Sequence, residues 1–400
     1  MAQAQTRLAC QASAAQDYSR IEGSFVITFS RENVYRAQAK SRPKMTANPC
    51  VDCREREATL TIRNRRLCSV CFTSYVHSKI LKRMGSYGLK NLPGEQKRRL
   101  FLPLSGGLSS LVLLQVLDFQ LQKQIANRNK TTYDIVVARV VLPDELDSRS
   151  IKSDYEALAG RFATQTFLPL LDLHEVLRLD HQVERDLKEL GIVRHDGEAD
   201  QNFFLRIMHC STSATAASDV QSILLKRLLV AVARDQGCEN VLWGHSDTRL
   251  AALALADVAK GRGGSVSSSI ADGQTLQGVD FNYPLRDLFK AELQTYARAS
   301  SEPILETTVE QDIPVGQPTN IRSTAIDSLL NTYITSQGEK YPSIMANVVR
   351  TASKLEARRP ADNATACPVC LMPVMGTQGL LNRNSGLCYG CERMRQDMVP

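Results

Sequence analysis

Arg99-Leu100-Phe101-Leu102-Pro103-Leu104-Ser105-Gly106-Gly107-Leu108-Ser109-Ser110-Leu111-Val112-Leu113-Leu114 reads as a buried strand, a tight glycine turn and the first turn of an apolar helix. Two adjacent glycines let the backbone come close to an anion, and Ser105 and Ser110 offer hydroxyls. The amides of the new helix face such a ligand with the positive end of the helix dipole. Ser105, Gly106, Gly107 and Ser110 are therefore a candidate phosphate cradle. The same pattern also describes ordinary strand-to-helix turns, so the decision falls to the flanking sequence.

Downstream, an apolar helix is expected from Ser109 to Asn127, a β-rich run from Tyr133 to Leu142 stopped by Pro143, and a helix stepping through Ile151, Tyr155, Leu158, Ala159 and Phe162. Thr166-Phe167-Leu168-Pro169-Leu170 is a further short strand. Strands alternating with helices in this way predict an α/β fold, a parallel sheet with helices on both faces. Residues 172–212 are charged and irregular and resemble an insertion. Ser218 and Gln221 have capping-box spacing and open a long helix that ends at Gly237. The strand Glu239 to His245 then delivers Gly244-His245-Ser246-Asp247-Thr248-Arg249 to the carboxyl edge of the sheet, where open α/β sheets bind ligands. His245 reads as a packed strand-end histidine and Asp247 as a surface or cap residue. The Gly- and Ser-rich run 261–269 is flexible by composition and lies where a loop over the site would be. Tyr283 to Asp287 leads into a helix beginning near Leu288, and two more helices are expected near 324–336 and 341–356.

Eight of the eleven cysteines fall in four Cys-x-x-Cys pairs: Cys50 with Cys53, Cys68 with Cys71, Cys367 with Cys370, and Cys388 with Cys391. In a chain expected to be cytosolic this spacing means metal before disulfide, and each doubled pair can close a tetrahedral thiolate site, typically on short hairpins. Two structural zinc ions are the expected cofactors. Cys10 has no partner at ligand spacing.

Charge is unevenly spread: residues 1–100 hold 19 Lys and Arg against 7 Asp and Glu, whereas the remainder is slightly acidic. A basic end on such a body suggests a polyanion-binding surface, and the alternative is a solvated tail. Lys79, Lys82 and Arg83 on an amphipathic helix after the first cysteine module, with Lys97, Arg98 and Arg99, are the candidate polyanion-binding residues. No apolar run approaches the roughly 18 residues a membrane span needs, which predicts a cytoplasmic chain with no membrane partner. The expected organisation is a poorly ordered extension over 1–46, a four-cysteine module with the basic helix over 47–90, the α/β core over 97–358 and a second four-cysteine module over 362–394.

The cradle resembles that of the PP-loop ATP pyrophosphatases, whose fingerprint is Ser-Gly-Gly-x-Asp-Ser-x-x-Leu after a short apolar strand. Ser105, Gly106, Gly107, Ser110 and Leu113 match, and Ser109 stands where the family has its aspartate. Catalytic relatives follow the later strand with Gly-His-Asn-Ala-Asp-Asp. Gly244 and His245 match, while Thr248 and Arg249 replace the two aspartates unless Asp247 substitutes by a shift of one residue.

A PP-loop core between two four-cysteine modules is similar to the tRNA-thiolating branch. Within it, the Ser-Gly-Gly-x-Ser-Ser cradle, the Gly-His-Ser-x-Thr-Arg segment and the Cys-Phe-x-x-Tyr-Val-x-x-Lys helix look like the cytoplasmic tRNA 2-thiolation protein 2 group. The resemblance implies tRNA as ligand, a catalytic thiolase paralogue as partner and, through that complex, a ubiquitin-related thiocarboxylate carrier as sulfur source. It also implies a subunit degenerate at its ATP and sulfur-transfer sites. Thiolating relatives use a core Cys-x-x-Cys pair and a third cysteine, whereas this core has only Cys210 and Cys238. An active ATP-dependent thiolase working through Asp247, and a zinc-ribbon nucleic-acid adaptor, remain open at this point.

Overall fold

The computed structural model describes residues 48–88, 97–143, 145, 148–300, 324–355, 366–374 and 386–399. The N-terminal extension with Cys10, and most of the connector around residues 89–96, lie outside the described residues.

A hairpin of β1 (Leu60–Ile62) and β2 (Arg65–Leu67) leads into α1 (Ser69–Ser86). Arg63 and Asn64 both adopt positive φ, the arrangement of a type I′ turn, whose twist matches the two strands it joins. Phe72, Val76, Ile80 and Met84 recur every fourth residue along α1 and form its buried stripe.

The core then runs β3 (Arg98–Pro103), α2 (Leu108–Arg128), β4 (Tyr133–Ala138), β5 (Val140–Val141), α3 (Ser148–Arg161), β6 (Thr166–Phe167) and β7 (Leu171–Asp172). The charged segment expected to be an insertion contains short helices α4 (Val176–Leu179), α5 (Val183–Leu187) and α6 (Asp200–His209). Next come α7 (Ala214–Asp235), β8 (Asn240–Leu242), α8 (Asp247–Ala259), α9 (Val266–Ile270), β9 (Gly273–Gln274), β10 (Asp280–Asn282) and α10 (Lys290–Ala299). The described chain ends with α11 (Ile326–Lys340), α12 (Pro342–Lys354) and α13 (Tyr389–Gln396).

Six strands form the central sheet in the order β6-β4-β3-β8-β10-β9. Five are parallel, as expected from the alternation, and β9 adds an antiparallel edge. Strand order reverses at β3, so the crevice between β3 and β8 is the topological switch point. The expected long strand 133–142 is broken at Arg139, and its second part pairs with β7 in a separate two-stranded sheet.

Alternation along the central strands separates two cores. Leu100, Leu102, Ile135, Val137 and Leu242 point to one face with α1, α2, α3 and α10. Phe101, Val136, Val241 and Phe281 point to the other with α6, α7, α8, α11 and α12. Cys50 and Cys68 belong to the first core, and Cys367, Cys370 and Cys391 to the second, so the two cysteine modules sit on opposite faces of the sheet.

Two local expectations are corrected. The long helix starts at Ala214 rather than Ser218, because the Ser213 hydroxyl accepts from the Ala216 amide and caps it there. The Gly/Ser run after Arg262 is a helical turn followed by α9, with Ser265, Val266, Ser267 and Ile270 buried. Burial of Val266 and Ile270 overrides the composition. No helix among the described residues is long and apolar enough to cross a membrane.

Candidate functional site

The cradle lies at the carboxyl end of β3, beside the switch point. Gly106 has φ +75, in the left-handed region that favours glycine. A Cβ there would lie 2.7 Å from Arg139 Nη1, so the guanidinium packs directly on the glycine. Arg139 is 2% exposed, its Nη2 is 3.5 Å from Glu145 Oε1, and its Nε has no hydrogen-bond partner among the described residues. The two cradle hydroxyls face each other at 3.2 Å, and Ser110 Oγ donates to the Gly107 carbonyl at 2.8 Å. Gly244, at the end of β8, would place a Cβ 2.9 Å from Ser110 Cα, so the second motif packs against the first. Ser105, Gly106, Gly107 and Ser110 are thus brought together and tied mainly to the chain itself. Arg139 was visible in sequence only as a lone cation inside an apolar run.

The residues at the positions of the family's aspartates have structural partners. Thr248 Oγ1 accepts from the Lys290 amide at the start of α10, and Arg249 reaches Asn331 on α11. His245 lies between Trp243 and Tyr283, its ring centroid 5.4 Å and 5.8 Å from theirs. Burial pushes it down to about 3, with Arg249 and Lys226 adding to the effect, so it is a neutral, packed imidazole as the sequence suggested. Asp247 is not a surface residue: it is 4% exposed, and its Oδ2 has no hydrogen-bond partner among the described residues. Burial pushes this carboxyl up to about 7, with Asp287 and Glu292 raising it and Arg63 and Arg286 opposing. Its place in the first turn of α8, capped by Ser246, carries it inward.

Asp247 lines a cleft of about 450 Å³ that also takes in Arg63, Lys79, Arg83, Arg286 and Arg350. Several of these cations are engaged. Arg83 pairs with Asp287, and Arg286 with Asp272. Arg63 pairs with Glu292 and lies 4.1 Å over the Phe289 ring. The six basic residues singled out from the sequence fall in two places. Lys79 and Arg83 on α1 line the cleft, while Lys82, between them on the same helix, is exposed to solvent. Lys97, Arg98 and Arg99 lie at the opposite, amino edge of the sheet, bound to Asp134, Glu239 and the Gln236 carbonyl respectively.

Both cysteine quartets close. Within each, the sulfurs lie within 4.8 Å of one another, with Cys53 and Cys68 3.9 Å apart and Cys370 and Cys388 3.7 Å apart. Sulfurs on a tetrahedron around zinc at about 2.3 Å would stand nearly that far apart. The two modules share a plan. Arg54 and Leu371, each following the second cysteine of a knuckle, have φ 58 and donate their amides to the carbonyls of Cys50 and Cys367. The second pair of each quartet is not on a hairpin: Cys68 and Cys388 are helix N-caps, with Cys71 and Cys391 in the first turns of α1 and α13. A helix N-terminus favours thiolate, which a metal requires.

The remaining core thiols are enclosed. Cys210 Sγ lies 3.0 Å from the Ile207 carbonyl and 3.8 Å from Met398 Sδ, and burial pushes it up. Three residues later, where a Cys-x-x-Cys pair would place its second thiol, stands the helix cap Ser213. Cys238 is pushed up to about 11, again by burial.

A family model described as cytoplasmic tRNA 2-thiolation protein 2 matches residues 325–383. Curated relatives of that name include one from Neosartorya fischeri, 38% identical over 89% of this chain and 99% of the relative. One from Ajellomyces capsulatus is 39% identical over 82% of this chain and 95% of the relative. Among solved structures, the U34-tRNA thiolase NcsA from Methanococcus maripaludis with its 4Fe–4S cluster is 14% identical, with a TM-score of 0.54 over 87% of this chain and 97% of that chain. That likeness speaks to the PP-loop fold. With its PP-loop sheet, its two cysteine quartets and this degree of identity over nearly the whole length of its relatives, the chain belongs to the cytoplasmic tRNA 2-thiolation protein 2 family and has a role in tRNA thiolation.

Proposed function

We propose that this chain is a non-catalytic or weakly catalytic cytoplasmic subunit of a wobble-uridine 2-thiolation complex. It binds tRNA through the basic face of α1 and supports a catalytic paralogue. The paralogue adenylates the uridine and takes sulfur from a ubiquitin-related thiocarboxylate carrier. Two structural zinc ions, held by Cys50, Cys53, Cys68 and Cys71 and by Cys367, Cys370, Cys388 and Cys391, complete the modules. A closed four-thiolate site leaves no open position for substrate.

The observation that carries this reading is the state of the cradle. A phosphate would need the hydroxyls of Ser105 and Ser110, which bond each other, and the space over Gly106, where Arg139 is packed. Replacing the uridine oxygen requires activating it with ATP, normally assisted by carboxylates that hold Mg²⁺, and then a sulfur nucleophile. Ser109, Thr248 and Arg249 supply no carboxylate. Buried thiols with raised pKa values supply little thiolate.

The test is co-purification from a cell extract, followed by thionucleoside analysis of tRNA from a deletion strain. Loss of 2-thiouridine, restored by the wild-type chain and accompanied by a PP-loop paralogue in the purified complex, is the expected result. ATP–pyrophosphate exchange by the isolated chain would instead make it an enzyme in its own right.

A further inference from the structure

The cleft between the first cysteine module and the sheet edge contains a feature that the basic face of α1 does not explain. Asp247 is buried in its wall and leaves Oδ2 without a hydrogen-bond partner among the described residues. A carboxylate in that state carries a desolvation cost that a hydrogen-bond donor from a ligand would offset. Lys79 and Arg350 line the same cleft, and neither has a carboxylate within ion-pair distance among the described residues. Lys79 is 5.7 Å from the Tyr75 ring centroid, and among the described residues Arg350 reaches only Asn347, at 3.5 Å. A smaller hollow of about 200 Å³, lined by Ile62, Arg65 and Tyr75, continues the cleft, sharing Arg63 and Lys79 with it. The groove therefore offers two available cations, an aromatic and apolar wall, and one buried acceptor.

We infer that this groove receives a nucleotide of single-stranded RNA, with backbone phosphates against Lys79 and Arg350 and a donor of the base or ribose on Asp247 Oδ2. Phosphate needs cations that are not already neutralised, which Lys79 and Arg350 provide. A base needs an apolar or aromatic face and a polar group for its edge. The cleft volume falls in the range of small-ligand sites. An acidic peptide would use the same cations but has less call on a buried acceptor beside an aromatic ring. The inference rests on the tRNA-binding reading and places one nucleotide within it.

The test uses the full-length, zinc-loaded chain with fluorescein-labelled heptauridylate, and a tRNA transcript measured in parallel. Arg350→Glu is expected to weaken heptauridylate binding about tenfold and Asp247→Leu by a similar factor, with Asp247→Asn in between. tRNA binding should change by only about threefold, because the outer face of α1 is untouched. Folding of each variant is checked by circular dichroism, and Asp247→Asn keeps the experiment informative if the leucine variant does not fold. Heptauridylate affinity within twofold of wild type in folded Arg350→Glu and Asp247→Asn, with tRNA still bound, would overturn the inference and leave the tRNA-binding reading standing. Equal affinity for a heptaglutamate peptide would replace the nucleotide with an acidic peptide. Failure of the wild-type chain to bind either RNA would remove both readings.

Discussion

Arg63 holds Glu292 by both carboxylate oxygens, with Nε and Nη2 each 2.7 Å from one of them, across 229 positions of sequence. Arg63 sits at the turn of the β1–β2 hairpin in a left-handed conformation, and Glu292 is buried in the first turn of α10. Tyr75 also donates to Glu292, at 3.2 Å. The pair thus fastens the first cysteine module to α10 of the core. Arg63→Ala would leave Glu292 buried with less compensation. Because Arg63 is itself partly exposed, solvent screens the pair, and the expected loss is about 1–3 kcal/mol. Thermal denaturation should show a melting temperature lower by roughly 2–6 °C. A change below 1 °C would mean that apolar contacts of α1 alone hold the module.

Zinc content follows from the two closed quartets. The purified chain should carry about two zinc ions, each worth on the order of 10 kcal/mol to its own module. Cys71→Ser and Cys391→Ser should each remove about one. Elemental analysis finding less than one zinc per chain, or iron in its place, would contradict the assignment.

Much of this was legible in the letters because the signals were local. The apolar run Leu100–Leu102, the glycine pair and the Cys-x-x-Cys spacings each determine structure within a few residues. What escaped was set by tertiary contact. Arg139 looks like an ordinary break in a strand until the fold packs it on Gly106, 33 residues earlier. Asp247 follows a capping serine and resembles a surface residue until the elements around the cleft bury it. The basic residues from Lys79 to Arg99 look like one patch in sequence, but α1 and β3 take them to different edges of the sheet.

Asp247 also makes stability depend on pH in a direction opposite to most acids. Its carboxyl titrates near 7 in the fold against an ordinary 3.8, so the folded chain binds the proton more tightly than the unfolded one. Stability contributed by this group is full below about pH 4, falls as pH rises, and is lost above about 7. Arg63 and Arg286 face the carboxyl and limit the penalty, while Asp287 and Glu292 increase it. Asp247→Asn removes the charge and should be more stable than wild type at pH 8, by on the order of 2 kcal/mol. The advantage should shrink toward pH 4. A gap that does not vary with pH would assign the titration elsewhere.

For tRNA, Lys79→Glu with Lys82→Glu should weaken binding to all tRNAs alike and flatten the salt dependence by about two counterions. Reversal of Lys97, Arg98 and Arg99 breaks contacts with Asp134, Glu239 and Gln236 and should act on stability instead. Filter binding over a salt series separates the two. Equal losses of tRNA affinity from both sets would extend the RNA surface to the amino edge.

The cradle decides between a partner subunit and an enzyme. Gly106→Val introduces a β-branched residue at φ +75 and drives its Cβ to 2.7 Å from a buried guanidinium. The backbone strain alone is roughly 1–2 kcal/mol, and displacement of Arg139 from Glu145 adds to it. The expected result is lower solubility or weaker pairing with the paralogue, with tRNA thiolation falling in proportion. Ser109→Asp restores one carboxylate but leaves Thr248 and Arg249 engaged with Lys290 and Asn331, so it should produce no adenylation. ATP should not raise the melting temperature of the wild-type chain, since the hydroxyls and the glycine that would meet its phosphates already have partners. Suppose instead that ATP stabilises the wild type and that Gly106→Val abolishes this while folding and pairing survive. Arg139 would then be a phosphate ligand rather than a plug, and the chain would have to be treated as a working nucleotide-dependent thiolase.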